Sequence, residues 1–224
     1  MERAACIVAV ILMLIVVVLS CIQIIVLSDS FFYRQYERND VFRKTQIEPA
    51  ELMRITDEIQ AYLMGQRQDF FINGTVGGRY RQIFTEREIL HMQDVQNLFR
   101  SGFYVRNIAL LLLLCCLLYL WCRRRKFFYE ALMGSAVTFF GLGLILGVVI
   151  VLNFQGFFVL FHEIFFRNDL WLLDPRESIL INMVPEPFFM AVAWQILLLA
   201  AAIFLICGLV GLGGLKFDRT LSRP

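Results

Sequence analysis

The stretch AACIVAVILMLIVVVLSCIQIIVL, Ala4 to Leu27, carries no charged side chain, and Ser20 and Gln23 are its main polar interruptions. A bilayer core about 30 Å thick is crossed by roughly 20 apolar residues in a helix. Lipid offers the backbone no hydrogen-bond partner, so such a run must be helical. It is also much longer than the roughly 7–15 apolar residues of a secretory leader. It therefore reads as an uncleaved first span.

Three further apolar runs follow, over residues 108–122, 131–152 and 188–215. The second is short and is expected to extend back past Tyr104. Mean hydropathy is +0.67, and 59% of residues are hydrophobic, well above a soluble domain. The expected fold is an all-α integral membrane protein with four transmembrane helices and a small extracellular cap. Its segments are span one (4–27), the cap (28–107), span two (108–122), a turn (123–130), span three (131–152), an aromatic re-entrant or interfacial segment (153–187), span four (188–215) and a tail (216–224).

Basic residues near span ends set orientation. Arg3, Arg123, Arg124, Arg125, Lys126, Lys216, Arg219 and Arg223 face only Glu2, Glu130 and Asp218 on one side. That side is expected to be cytoplasmic, with residues 28–107 and 153–187 outside. A net charge of +2 gives no reason to expect a nucleic-acid partner. Membrane lipid is the expected surroundings. Only Gln23 and Gln195 break the spans, which speaks against a pump or proton-coupled transporter. Gly143 with Gly147, and Gly208, Gly211 and Gly214, read as helix-packing positions.

All six cysteines (Cys6, Cys21, Cys115, Cys116, Cys122, Cys207) lie in spans or at their inner ends. The cap is thus expected to have no disulfide, no cysteine metal site and no thiol nucleophile. Within it, Leu52, Ile55, Ile59 and Leu63 give residues 50–65 helical periodicity. Asn73 to Gly78 reads as a turn closing a hairpin between Phe70–Ile72 and Tyr80–Phe84. Thr85 and Glu88 form a capping box, opening a helix that carries His91.

There are two histidines, His91 and His162, both in polar segments outside the apolar runs. Imidazole is the side chain that exchanges a proton near neutral pH. Glu88 and Asp94 lie three residues to either side of His91, within helical reach of its ring. A carboxylate there would orient the imidazole, although a histidine in a charged helix can equally be a plain surface residue. His162 lies in FFVLFHEIFFRNDLWLLDPRESILINMVPEPFF, Phe157 to Phe189. That run is too charged to span and too aromatic for a solvated loop. Pro175, Pro185 and Pro187 give it an irregular path. An interfacial aromatic belt would favour scattered Trp and Tyr. Here Phe161, Phe165, Phe166 and Trp171 alternate with Glu163, Arg167 and Asp169, as in a lined, partly dry pocket.

The run Thr85-Glu86-Arg87-Glu88-Ile89-Leu90-His91-Met92-Gln93-Asp94-Val95 resembles a motif of the bacterial lipoprotein intramolecular transacylases. Phe161 to Pro175 resembles that family's second, longer motif, and Ile181 to Glu186 its continuation into the last span. Where the family pattern leads one to expect an acidic residue, this chain has Ser178, preceded by Glu177. The resemblance implies an acyltransferase acting on diacylglyceryl-modified bacterial lipoproteins in a cell membrane, at a site facing outward. The sn-2 acyl chain would move to the α-amino group of the N-terminal cysteine, leaving the lyso-form lipoprotein. His91 and His162 would be catalytic, one as general base. Glu88, Asp94, Phe161, Phe165, Phe166, Arg167, Asp169, Trp171 and Asp174 would support them or position substrate. The four rings would form a chamber, and Asp169 or Asp174 would anchor Arg167 or Arg176, or receive the substrate ammonium.

The chemistry implied by that resemblance is self-consistent. Attack by the amine closes a ring of nitrogen, Cα, Cβ, sulfur, two glyceryl carbons, ester oxygen and carbonyl carbon. Holding the ends of so awkward a ring together can contribute up to roughly 7–11 kcal/mol. Exchanging an ester for an amide is downhill, so neither metal nor cofactor is expected. The rival readings are a non-catalytic membrane lipid- or lipoprotein-binding protein, and a bis-histidine haem protein. A visible absorption spectrum separates the last of these.

Overall fold

The computed structural model describes residues 1–221; Arg223, counted above in the orientation argument, lies outside them. In chain order the elements are α1 (Glu2–Val26), α2 (Asp29–Arg38), α3 (Val41–Thr45), α4 (Pro49–Leu63), β1 (Asn73–Val76), β2 (Arg79–Gln82), α5 (Glu86–Arg123), α6 (Arg125–Leu152), α7 (Phe154–Phe165), α8 (Ile179–Met183) and α9 (Glu186–Leu221). Helices α1, α5, α6 and α9 are long and apolar enough to cross a membrane. The chain is thus a mostly helical, multi-pass membrane protein.

Two units divide the chain. The first holds Met1–Gln23, Phe103–Leu152 and the chain from Trp194 onward. Its core is built of small and medium apolar side chains, among them Ala9, Met13, Leu120, Ala131, Ala136 and Ala200. Phe139 stacks on Phe204 with centroids 4.6 Å apart. Small residues bring α9 against α6: a Cβ on Gly211 would lie 2.8 Å from the Met133 nitrogen and the Tyr129 carbonyl oxygen. One on Gly214 would enter the Tyr129 ring, and one on Gly208 would lie 3.1 Å from Ala136 Cβ. Gly143 and Gly147 differ from the sequence reading, because added methyls there would meet only ordinary contacts at 3.8–3.9 Å. The tight seam follows the α9 glycines alone. The outer faces expose Leu111, Leu144, Val151 and Leu209, as lipid-facing helices do. Gln23 is bonded by the Arg106 guanidinium.

Ile24–Gly102 and Asn153–Ala193 form the second unit. Here α2, α4 and the hairpin enclose Phe31, Tyr36, Leu52, Ile55, Phe70 and Ile83, all buried. The Tyr36 hydroxyl lies 2.8 Å from Thr56 Oγ1, which satisfies both polar groups. The hairpin pairs Asn73 with Gln82 and Val76 with Arg79. The sequence reading placed the whole of residues 73–78 in the turn; in fact Gly77 and Gly78, both at positive φ, make it by themselves. Positive φ at both central residues is the two-residue geometry that matches strand twist, so Asn73–Val76 are free to pair.

Helix α5 also departs from expectation. The sequence suggested a cap helix opened by Thr85 and Glu88 and, apart from it, a second span reaching back past Tyr104. Instead 38 residues run from Glu86 to Arg123 without a break. Ser101 and Gly102 fall within it, and one helix-interior glycine costs only about 1 kcal/mol against alanine. The half that carries His91 is polar; the apolar stretch begins near Tyr104.

Candidate functional site

The first turn of α5 is capped as the box predicts. Glu88 Oε2 accepts from the Thr85 amide at 2.6 Å and the Thr85 hydroxyl at 2.8 Å. Its other oxygen accepts from Ser178 Oγ at 2.6 Å and the Leu180 amide at 2.8 Å. The side chain is fully buried, and four donors meet its two oxygens. Nearby, Arg87 donates to the Asp169 carbonyl. One to two turns on, Asp94 Oδ2 accepts from Asn168 Nδ2 at 2.8 Å. One side of α5 is thus tied at three places to residues 168–180, and His91 lies within that span of α5.

His162 arrives from α7. Asn153 caps that helix by accepting from the Gly156 amide at 2.9 Å. At its other end Phe166 turns extended, its amide donating to the His162 carbonyl at 2.8 Å. Asn168 Oδ1 then takes the Leu170 amide at 3.1 Å and steadies the turn before Trp171.

These elements bring the two histidines together with ring centroids 6.3 Å apart and planes inclined by 32°. Both are buried, at 8% and 7% exposure. The Phe166 ring lies against both, at 5.3 Å from His91 and 5.5 Å from His162. Trp171 lies 4.8 Å from His162, Phe158 4.1 Å and Phe161 5.4 Å. His162 Nδ1 lies 2.7 Å from the Phe158 carbonyl oxygen. A carbonyl only accepts, so Nδ1 carries the proton and Nε2 keeps its lone pair. His91 Nδ1 is buried and has no hydrogen-bond partner among the described residues. Burial first, and then the neighbouring His162, bring the His91 pKa down from 6.5 to about 4 against an opposing pull from Asp94. Burial also lowers His162, opposed by the Phe158 hydrogen bond. Both rings are therefore neutral at physiological pH.

Several expected roles are redistributed. Neither Glu88 nor Asp94 orients His91 through a hydrogen bond, since the four donors around Glu88 already saturate it and Asp94 is bonded by Asn168. Phe165 is half exposed and pairs with Phe161 at 4.8 Å rather than with a histidine. Asp174 does hold Arg176, at 2.8 Å, and that salt bridge with the Arg176 amide lowers the Asp174 pKa. Asp169 contributes its carbonyl, not its carboxylate. Arg167 makes no ion pair among the described residues. Phe158 was missed, although it sits four residues before His162 on a helix, where its carbonyl falls beneath the ring. Ser178 was singled out only as a departure; here it both caps α8, accepting from the Ile181 amide at 3.2 Å, and donates to Glu88. Phe166, whose ring lies against both histidines, also lines an open cleft of ≈380 Å³.

Residues 6–189 match the family model described as "Lipoprotein intramolecular transacylase Lit". No curated protein matches the chain. The chain is similar to the in meso structure of the membrane integral lipoprotein intramolecular transacylase Lit from Bacillus cereus, with a TM-score of 0.82, 23% identity and 98% of each chain covered. A variant of that protein with one histidine changed to alanine gives a TM-score of 0.76, 23% identity, and coverage of 98% of this chain and 96% of that one. A variant with a histidine changed to arginine gives 0.76, 23%, 99% and 95%. At this identity the likeness is one of fold.

Proposed function

The chain belongs to the lipoprotein intramolecular transacylase family, an acyltransferase family, and from that premise we propose that His162 and His91 divide the work of moving an sn-2 acyl chain onto the α-amino group of a lipoprotein's N-terminal cysteine. The observation that carries the proposal is the buried pair itself, with rings 6.3 Å apart and one ring locked by a carbonyl.

His162 is the general base. Its Nε2 takes the proton that the amine loses as the C–N bond forms. The imidazolium then returns that proton to the glyceryl oxygen as the C–O bond breaks, so atoms and charge balance without an acyl-enzyme. His91 plays the complementary part. A buried orphaned N–H is rarer than an under-satisfied acceptor, so its partnerless Nδ1 is the unprotonated nitrogen and Nε2–H is the donor. A neutral imidazole of low basicity donates to a developing oxyanion without surrendering its proton, as in other enzymes whose histidine works as a neutral electrophile. Phe166 packs against both rings and Trp171 against His162, and they hold the reacting ends of the substrate near one another.

The expected setting is a bacterial cell membrane with both termini cytoplasmic and this chemistry outside, where lipoprotein N-termini are displayed. An impermeant thiol reagent should label a cysteine placed at Ser30 or Thr75 in intact cells. Labelling only after lysis would reverse the topology. The reaction itself is tested by fragment mass spectrometry of a lipoprotein's N-terminal peptide, with and without this protein. An amide-linked acyl chain that depends on the protein supports transfer; unaltered diacylglyceryl cysteine would leave only a binding role.

A further inference from the structure

The attacking nitrogen stands at the end of a polypeptide, and everything after the cysteine must leave the site by a path that satisfies backbone amides. Each peptide unit brings one donor and one acceptor, and leaving them dry costs about 1–3 kcal/mol per group. The path therefore has to be polar and open, and it has to start beside the histidines. Acyl chains make the opposite demand.

The cleft lined by Phe166 is open and partly polar, and that one ring connects it to both histidines. Its volume of ≈380 Å³ falls in the range of roughly 300–1,000 Å³ typical of ligand sites. Asp94, Asn97 and Ser101 line one side, on successive turns of α5 beyond His91, and Arg167 and Asn168 line the other. Polar side chains thus share the lining with Leu98, Phe165 and Phe166, a mixed surface that suits a polypeptide better than an acyl chain. Phe166 presents its ring to both histidines and also lines the cleft. Arg167 is exposed and free of ion pairs among the described residues. Its guanidinium has five N–H groups in a fixed fork and no acceptor, which suits main-chain carbonyls. Asp94 already accepts from Asn168 and has lone pairs left for an amide.

We propose that this cleft receives the polypeptide immediately following the acylated cysteine, with Arg167 donating to its carbonyls and Asn97 and Asp94 meeting its amides. The proposal rests on the transacylase reading and adds a peptide subsite to it. From Asp94 to Ser101 the helix rises about 10 Å, the reach of about three extended residues. Recognition is of backbone, so the subsite is indifferent to side-chain charge and sensitive to length.

The test uses the full chain in detergent with synthetic substrates: diacylglyceryl-cysteine amide, and the same group followed by one to five Gly-Ser residues. With the wild type, kcat/KM rises through about the third residue and then levels. Arg167→Ala removes most of that gain through KM, lowering the longest substrate about tenfold more than the amide, as loss of a charged hydrogen bond implies. Arg167→Lys restores part of it. Equal wild-type kcat/KM on the amide and the longest peptide overturns the proposal. So does an Arg167→Ala loss that is the same for both, which would place the glyceryl head in the cleft instead. Conversion of every substrate at one rate leaves the transacylase reading standing while the subsite falls; conversion of none removes both.

Discussion

The seam between α6 and α9 and the seam between α5 and residues 166–180 solve opposite problems. The first is dry: Gly211 and Gly214 admit Met133 and Tyr129 to distances that no added Cβ could share, and Gly208 leaves little more room beside Ala136. The second is polar: Arg87, Glu88 and Asp94 each meet a specific group across it, and two neutral imidazoles lie in its midst. Shape holds the first, and saturated hydrogen bonding holds the second. Changes in the first should lower the amount of folded protein. Changes in the second should lower the rate of the protein that remains.

The sharpest way to break that contrast is at the histidines. His162→Ala and His91→Ala should each reduce conversion by about 10²- to 10⁴-fold with protein abundance unchanged; initial rates at matched protein levels check this. Next is Trp171→Ala. Losing the ring 4.8 Å from His162 misplaces reacting groups by a fraction of a side chain, and about 1 Å can cost roughly a hundredfold. Unchanged rates would reduce Trp171 to an interfacial anchor. Glu88→Gln comes third and blurs the contrast deliberately. Its amide must face one of four donors, so both rate and thermal stability should fall, the rate by about tenfold, given a mispaired group worth about 1–3 kcal/mol. Ser178→Ala, removing one of the four, should do less in the same assays. Gly211→Val should lower the melting temperature by several degrees through overpacking of about 1–3 kcal/mol, while Gly143→Ala, which meets only ordinary contacts inside α6, should raise it slightly; activity per folded molecule stays level in both.

The smallest effect is one of pH. His91 has its pKa lowered on folding from 6.5 to about 4, so the unfolded chain takes up its proton first. Its contribution to stability is complete above about pH 6.5 and is lost as the pH falls toward 4. His91→Gln should flatten that part of a melting-temperature profile. The acid limb of the rate should first follow the substrate amine, whose pKa is near 8, since both imidazoles are held below their ordinary 6.5.

The four long helices were legible because an apolar run of span length has few alternatives. The unbroken course of α5 was not, since Ser101, Gly102 and the polarity change near Tyr104 look like a boundary and helix continuity has no pattern of its own. The histidines stood out by being two, and the resemblance named them. What the spacing could not reveal was which neighbours serve them. Glu88 sits one turn from His91 yet bonds Ser178, 90 residues away. The partner that fixes His162 is a backbone carbonyl, which any residue at position 158 would supply. Glycine spacing likewise proposed two seams, and only the one on α9, against Tyr129, Met133 and Ala136, is tight.

His162 is the proposed base of an intramolecular transfer. The direct measurement is the initial rate at which purified wild type and His162→Ala, at equal concentration, convert a synthetic diacylglyceryl-cysteinyl peptide, followed by fragment mass spectrometry. The wild type should leave the parent mass unchanged while moving one acyl chain from ester to N-terminal amide, and the variant should do so at least about a hundredfold more slowly. Near-equal rates, or a parent mass that changes by an acyl group, would contradict it.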